Sequence, residues 1–252
     1  MCKVVAIHSY RGGTGKSNLT ANLAVSVASE GYRVAIIDTD LQSPGIHFLF
    51  GINQDSGKNT LNDYLWGRNK IEDAACDVSN ILKGKVKGKG SLFVVPASIN
   101  ADEIALILSK GYDVSLLNDG CRQLIKKLNL DYLFIDTHPG LSKETFLSIA
   151  ISNIALLILR PDNQDIQGTA VTIDVAKQLR VRRMMLIVNK VLTRMNFQTL
   201  QKKIEQIYEV PVAGMFPLTE DVMHLGSRGI FSLESPQHVF SQEIKKVTKH
   251  II

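Results

Sequence analysis

The stretch YRGGTGKS, residues Tyr10–Ser17, decides how the rest of the chain is read. It follows the apolar run KVVAI and precedes Asn18–Ser29, where Leu19, Leu23 and Val27 recur at helical spacing. A strand, a glycine-rich turn and a helix in that order let successive backbone N–H groups converge on phosphate oxygens. The helix N-terminus adds its partial positive charge. Gly12, Gly13 and Gly15, with Thr14 among them, supply the turn. Lys16 is placed to reach the β- and γ-phosphates of a nucleotide, and the Ser17 hydroxyl to coordinate Mg²⁺. The phosphate-loop pattern G-x-x-x-x-G-K-[ST] is met at Gly15, Lys16 and Ser17, but Tyr10 stands where its first glycine belongs.

Outward from this loop, short β-branched runs alternate with longer helical stretches, as parallel strands joined by crossover helices require. Strands are predicted over Lys3–Ser9, Arg33–Asp38, Leu92–Pro96, Tyr132–Asp136, Ile154–Leu159, Met184–Asn189 and Val212–Phe216. Most are nearly continuous apolar runs, the mark of strands buried on both faces. Helices are predicted over Asn18–Ser29, Val114–Leu128, Ile166–Leu179 and Leu200–Tyr208. The expected fold is α/β, a mostly parallel central sheet flanked by helices, and 252 residues fit within one domain spanning the whole chain.

Two strand ends carry carboxylates. AIIDTDLQSPG ends its strand with Asp38 and Asp40, whose alternation sends both side chains in the same general direction. LDYLFIDTHPG ends another with Asp136 behind an apolar run, as a Walker B carboxylate is placed. Acidic groups at buried strand ends cost stability unless a cation or hydrogen-bond donors meet them, and Mg²⁺ with a nucleotide does so.

These segments resemble the MinD/ParA family of deviant Walker A P-loop ATPases. RGGTGKS is similar to that family's signature loop K-G-G-x-G-K-[ST], DTDLQSPG to its switch I and DTHPG to its switch II. TLNDYLWG, LFVVPAS, LIVNK and GMFPL follow in the family's order, so the resemblance covers essentially the whole chain. It implies ATP and Mg²⁺ as cofactors and a P-loop NTPase fold of the SIMIBI type. Lys16 would bind phosphate, Ser17 and Asp136 would organise Mg²⁺ with Asp38 supporting the metal shell, and Asp40 would position the attacking water. Asn189 would hydrogen-bond adenine and Pro217 would pack near the base, although Asn189 also suits an ordinary strand-ending turn.

Three positions depart from the family pattern: Arg11 replaces the signature lysine, Asn18 a common threonine and His138 a common proline. Asn18 can still donate to an α-phosphate. His138 reads as a local switch residue rather than a catalyst. Arg11 has two readings. As the counterpart of the family's lysine it is expected to reach across an ATP-dependent homodimer to the partner's phosphates. Alternatively, with Tyr10 redirecting the loop, it turns outward onto a local carboxylate and leaves a monomeric ATPase.

The resemblance implies slow ATP hydrolysis, with homodimerisation used as a switch to position or partition cargo and an activating partner protein. The rivals within the superfamily are an ATP-dependent ligase or amidase, which needs a substrate domain or an activated cysteine, and a metal-insertion ATPase, which uses paired cysteines. Cys2, Cys76 and Cys121 are odd in number and far apart, which suits neither and leaves reduced thiols as the expectation.

The composition, 45% hydrophobic and 21% charged, is that of a globular protein, and no apolar run approaches the roughly 20 residues that cross a bilayer. A cytoplasmic protein is expected, peripheral to a membrane or nucleoid surface. The net charge of +5 would suit a partner with phosphates, but a surplus this small is also common in proteins that bind no polymer. For DNA the candidates are Arg180, Arg182 and Arg183, which equally suit a solvated connection. For membrane the candidate is the C-terminal face of Val239, Phe240, Ile244, Val247 and Ile251, which reads first as a helix packed on the domain. Lys83, Lys85, Lys87 and Lys89 in LKGKVKGKG read as a solvated turn. Without a helix-turn-helix before the first strand, operator recognition is not expected.

Overall fold

The computed structural model describes residues 2–54 and 59–252. In chain order its elements are β1 (Lys3–His8), α1 (Lys16–Ser29), β2 (Arg33–Asp38), α2 (Ile46–Leu49), α3 (Leu61–Leu65), β3 (Cys76–Asp77), β4 (Ser91–Val95), α4 (Ala101–Lys110), α5 (Val114–Leu128) and β5 (Tyr132–Asp136). Then come α6 (Lys143–Ala150), β6 (Ile154–Leu159), α7 (Asn163–Gln178), β7 (Met184–Val191), α8 (Phe197–Tyr208), β8 (Val212–Pro217), α9 (Glu220–Leu225), α10 (Phe231–Glu234) and α11 (Val239–Ile251). The strands form one sheet in the order β3-β4-β2-β5-β1-β6-β7-β8, every pairing parallel except β3 with β4. This is the mostly parallel sheet that the apolar runs predict.

Because side chains alternate across a strand, each central strand feeds two layers. From β2, Val34 and Ile36 pack into the layer containing Leu19, Leu23 and Val27 of α1 and Ile244 and Val247 of α11. Ala35 and Ile37 enter the opposite layer with Leu61 of α3 and Leu117 and Leu124 of α5. A third cluster joins Leu157 and Leu159 of β6 to Ile173 of α7 and Ile204 of α8. Burial on both faces is why these strands read as unbroken apolar runs.

The differences from the sequence expectation have local causes. Helices α7 and α8 begin three residues earlier than periodicity suggests, because their first turns are fixed by side-chain caps. Asp162 accepts from the amides of Gln164 and Asp165, and Asn196 from that of Thr199. Strand β7 runs past Asn189 to Val191 through a register irregularity against β8. β3, only two residues long, carries no periodic signal.

Helix α11 is packed on the domain: Phe240, Ile244, Val247 and Ile251 are buried, while Val239, expected on the same face, is 56% exposed. Lys245, Lys246 and Lys249 face solvent. In the lysine-rich turn, the Lys87 amide donates to Ser29, its ammonium lies 2.6 Å from Glu30, and Lys85 Nζ donates to the Leu233 carbonyl. Arg180, Arg182 and Arg183 are exposed in the connection from α7 to β7. No helix among the described residues is long and apolar enough to cross a membrane.

Candidate nucleotide site

The site forms where the sheet reverses its winding. β1 lies between β5 and β6, and the loops leaving the C-terminal ends of β1, β2 and β5 meet there. Register sets the meeting point: Ile7 of β1 pairs with Asp136 of β5, and Asp136 in turn pairs with Asp38 of β2. The end of each strand is therefore adjacent to the next.

The glycine-rich turn needs its glycines. Gly13 and Gly15 have φ of 74° and 90°, the left-handed region that side chains disfavour. At Gly15 a β-carbon would also lie 2.5 Å from Asn189 Nδ2. The turn delivers Lys16 and Ser17 to the first turn of α1, directly over Asp136.

Asp136 is the hub. Fully buried, it accepts hydrogen bonds from Lys16 Nζ at 3.0 Å and Thr20 Oγ1 at 2.9 Å on one oxygen, and from Ser17 Oγ at 2.6 Å on the other. These three donors supply the compensation that a buried carboxylate requires. Thr20 was missing from the sequence reading. The signal was available, since Thr20 stands four residues after Lys16 and shares its helical face.

The switch I carboxylates divide their work. Asp38, also fully buried, accepts the amide of Asp40 on Oδ1 and those of Gly45 and Ile46 on Oδ2, which staples the turn after β2. Burial, reinforced by the charges of Asp136 and Asp40 and opposed by Lys16, pushes its carboxyl up to about 7. Asp40 presents Oδ2 to Lys16 Nζ at 4.0 Å and accepts on Oδ1 from the Ser43 amide at 3.1 Å and from His138 Nδ1 at 2.7 Å. His138 therefore has an acidic partner, which comes from switch I, 98 residues earlier.

A second histidine lies beneath the loop. His8 is fully buried, with Nδ1 2.8 Å from Thr137 Oγ1, which itself donates to the Ile7 carbonyl. His8 Nε2 has no partner among the described residues. Burial, then the charges of Lys16 and His138, pulls its pKa down to about 3 and keeps the ring neutral.

Asn18, Asn189 and Pro217 line a cavity of about 170 Å³ beside Gly15, closed by Met223 of α9 and Phe240 of α11. The Asn189 amide is already engaged: Nδ2 donates to the Thr14 carbonyl at 2.7 Å and Oδ1 accepts the Lys190 amide. Lys190, at φ 57°, also grips the loop through the Gly13 carbonyl. These bonds fix the amide's orientation and leave one Nδ2 hydrogen and one Oδ1 lone pair for a base.

In the single chain Arg11 lies beside local carboxylates. Its guanidinium lies 3.7 Å from Asp162 and 3.6 Å from Asp165 of the same chain, near Arg160, which holds Asp165 more closely. Tyr10 packs on the same helix, α7: a β-carbon at Gly168 would overlap its ring. Tyr10 and Arg11 together dock the front of the loop on α7.

The donors suit Mg²⁺. Ser17 Oγ and an Asp136 oxygen are hard ligands 2.6 Å apart. Among the described residues no group of three or more His, Cys, Asp and Glu forms a metal cage. Mg²⁺ typically takes one or two protein oxygens and completes its shell with phosphates and water.

Comparison with known proteins agrees with this geometry. An uncharacterized ATP-binding protein of Methanocaldococcus jannaschii is 29% identical over 86% of this chain and 75% of its own length. The cell division ATPase MinD of Pyrococcus furiosus superposes with a TM-score of 0.81 at 22% identity, covering 100% of this chain and 98% of that one. The septum site-determining protein MinD of Pyrococcus horikoshii, solved as a complex with Mg-ADP, gives 0.80 at 21%, covering 100% and 96%. At those identities the two structures establish likeness of fold, here the P-loop NTPase fold of MinD/ParA proteins. The family match is broader: residues 5–233 match the CobQ/CobB/MinD/ParA nucleotide binding domain, and the chain belongs to that family.

Proposed function

We propose that the chain is a single-domain ATPase that binds and slowly hydrolyses Mg-ATP, with ATP-dependent homodimerisation serving as a switch for positioning or partitioning cargo. The observation that carries this reading is the Asp136 hub, which gathers Lys16, Ser17 and Thr20 beneath a turn of positive-φ glycines. The relatives support it as members of a family of ATPases.

In this reading the amides from Gly12 to Ser17 cradle the phosphates, and Lys16 exchanges its bond to Asp136 for the β- and γ-oxygens. Ser17 and Asp136 hold Mg²⁺, with Asp38 fixing the switch I turn beside them. The cation, when bound, supplies neutralisation of developing phosphate charge. Asp40 orients the attacking water, while Asn18 meets the α-phosphate and Asn189 and Pro217 frame the base. Catalysis then comes from positioning and electrostatics rather than a covalent intermediate.

For Arg11 to act across a homodimer, its guanidinium must leave Asp162 and Asp165. Both contacts are long, and Arg11 is 37% exposed, so the exchange is cheap. An amidase reading finds no support at the one buried cysteine: burial pushes Cys121 up to about 12, which leaves an inert thiol. The site of action is proposed as cytoplasmic, with an activating partner protein. Since the apolar side of α11 is spent on the core, a lipid surface would have to be met by its exposed lysines or by another face. Co-sedimentation with vesicles and with nonspecific DNA, each with and without ATP, separates the two surfaces.

Titration with a fluorescent ATP analogue, followed by phosphate release, tests the reading. Wild type binds and turns over, and Asp40→Ala binds and persists as a dimer on size exclusion but hydrolyses poorly. An Asp40→Ala protein that stays monomeric with its nucleotide affinity lost would move Asp40 into the binding shell.

A further inference from the structure

We infer that His138 is a positioning residue for the hydrolytic water, acting through Asp40. The inference rests on the ATPase reading and assigns a role to a residue that replaces the family's common proline.

A carboxylate that is to orient water must offer one oxygen in a fixed direction, and an aspartate at the end of a strand rotates freely unless its other oxygen is held. In this chain Asp40 Oδ1 is held twice, by the Ser43 amide at 3.1 Å and by His138 Nδ1 at 2.7 Å. A carboxylate oxygen only accepts, so Nδ1 is the donor. The two donors approach from different segments, one within switch I and one from switch II, and together they fix the plane of the carboxylate. Oδ2 is the oxygen left over, and it faces Lys16 Nζ at 4.0 Å, on the side where the phosphates would lie.

The backbone that carries the ring is itself held. The His138 carbonyl accepts from Thr145 Oγ1 of α6 at 3.2 Å, and Ser142 caps that helix through the Thr145 amide. Two residues on, the Gly140 amide donates to the Ser9 carbonyl, tying switch II to the front of the phosphate loop. A proline at 138 would have no ring donor, so this contact between the switches depends on the histidine. His138 also lines a cavity of about 250 Å³ between switch I, switch II and the end of α4, with Gln42, Tyr112 and Glu144. That space leaves room for substitution at 138 without breaking the core.

Purified wild type, His138→Gln and His138→Leu are compared in Mg-ATP hydrolysis, with nucleotide affinity from the fluorescent analogue and melting temperature from calorimetry. Gln retains a donor; Leu has none. Misplacing a group that orients a reactant costs about 10- to 100-fold. His138→Leu is therefore expected to lose kcat by that factor with KM and affinity within about 2-fold, while His138→Gln keeps most of the rate. In the double variant with Asp40→Asn, His138→Leu adds nothing further, since both act on the same oxygen. Unchanged kcat in His138→Leu, or affinity lost along with turnover, overturns the inference.

Long-range ¹H–¹⁵N spectra of the histidine rings give a second readout without nucleotide. A protonated Nδ1 at His138 that shifts in Asp40→Asn supports the contact, and its absence refutes it. Wild type that binds ATP without turning it over defeats the ATPase reading instead, and the spectra then still judge whether His138 holds Asp40.

Discussion

Replacing Lys16 with methionine should unfold the resting protein more readily as well as abolish nucleotide binding, and the penalty should grow with pH. The Lys16 side chain is 7% exposed and sits between Asp136 at 3.0 Å and Asp40 at 4.0 Å, with Asp38 stapled alongside. Methionine keeps the length and removes the cation. Removing one partner of a buried pair while the other stays charged costs about 3–5 kcal/mol. At roughly 2–4 °C per kcal/mol for a chain of this size, that is a fall of about 6–20 °C in melting temperature. The carboxylates can escape part of the cost by taking up protons. Asp38, already raised to about 7, is above its unfolded value, so its ionisation subtracts stability as pH rises through that range. Losing Lys16, which opposes this rise, moves the carboxyl higher still and extends the loss above pH 7. The deficit of Lys16→Met relative to wild type is therefore larger at pH 8 than at pH 6. The double variant Lys16→Met/Asp136→Asn, with both partners neutral, recovers part of it. Thermal unfolding by circular dichroism at the two pH values, with and without Mg-ATP, measures each quantity, and only wild type gains stability from the nucleotide. A Lys16→Met protein as stable as wild type at pH 8, or a deficit that does not change with pH, would refute the view that this lysine neutralises the buried carboxylates.

Other expectations follow from single contacts. His8, held neutral with its pKa lowered to about 3, favours the fold above its unfolded value near 6.5, and that contribution drains away as pH falls from about 6.5 toward 3, by about 1.4 kcal/mol per unit. The stability of His8→Gln in urea should decline less steeply over that window; identical slopes would mean that the ring titrates normally. Gly168→Ala drives a methyl into the Tyr10 ring and should cost about 1–3 kcal/mol in urea unfolding, with Tyr10→Ala relieving the clash. Arg11→Ala should bind ATP nearly as well as wild type yet fail to dimerise with a non-hydrolysable analogue in analytical ultracentrifugation, and Arg11→Lys should keep part of both properties. A dimer undiminished in Arg11→Ala would leave the guanidinium with Asp162 and Asp165 alone.

Local chemistry in the sequence was enough to place the sheet and the phosphate loop. Strands buried on both faces must be apolar throughout, so runs such as YLFID and IALLIL announce themselves, and a turn with glycines ahead of Lys16 and Ser17 has few other uses. The candidate residues at the ends of β1, β2 and β5 were legible for the same reason, since a carboxylate closing an apolar strand needs a partner. What could not be read was which partner. The pairing of His138 with Asp40 spans 98 residues, and it exists because β2 and β5 lie side by side in a register that no local pattern encodes. The acid nearest to His138 in sequence, Asp136, is taken by Lys16, Ser17 and Thr20, while the fold brings Asp40 to its ring at 2.7 Å. Arg11 poses the same problem in reverse. Its charge and place in the loop admit two directions, and only the tertiary structure sets it beside Asp162 and Asp165 in the single chain, next to Tyr10 packed against Gly168 of α7. Short-range patterning thus sets the elements and the chemistry at their ends, because burial and backbone geometry act residue by residue. The tertiary structure decides which charged groups meet, because a hydrogen bond of about 3 Å depends on the placement of segments far apart in the chain.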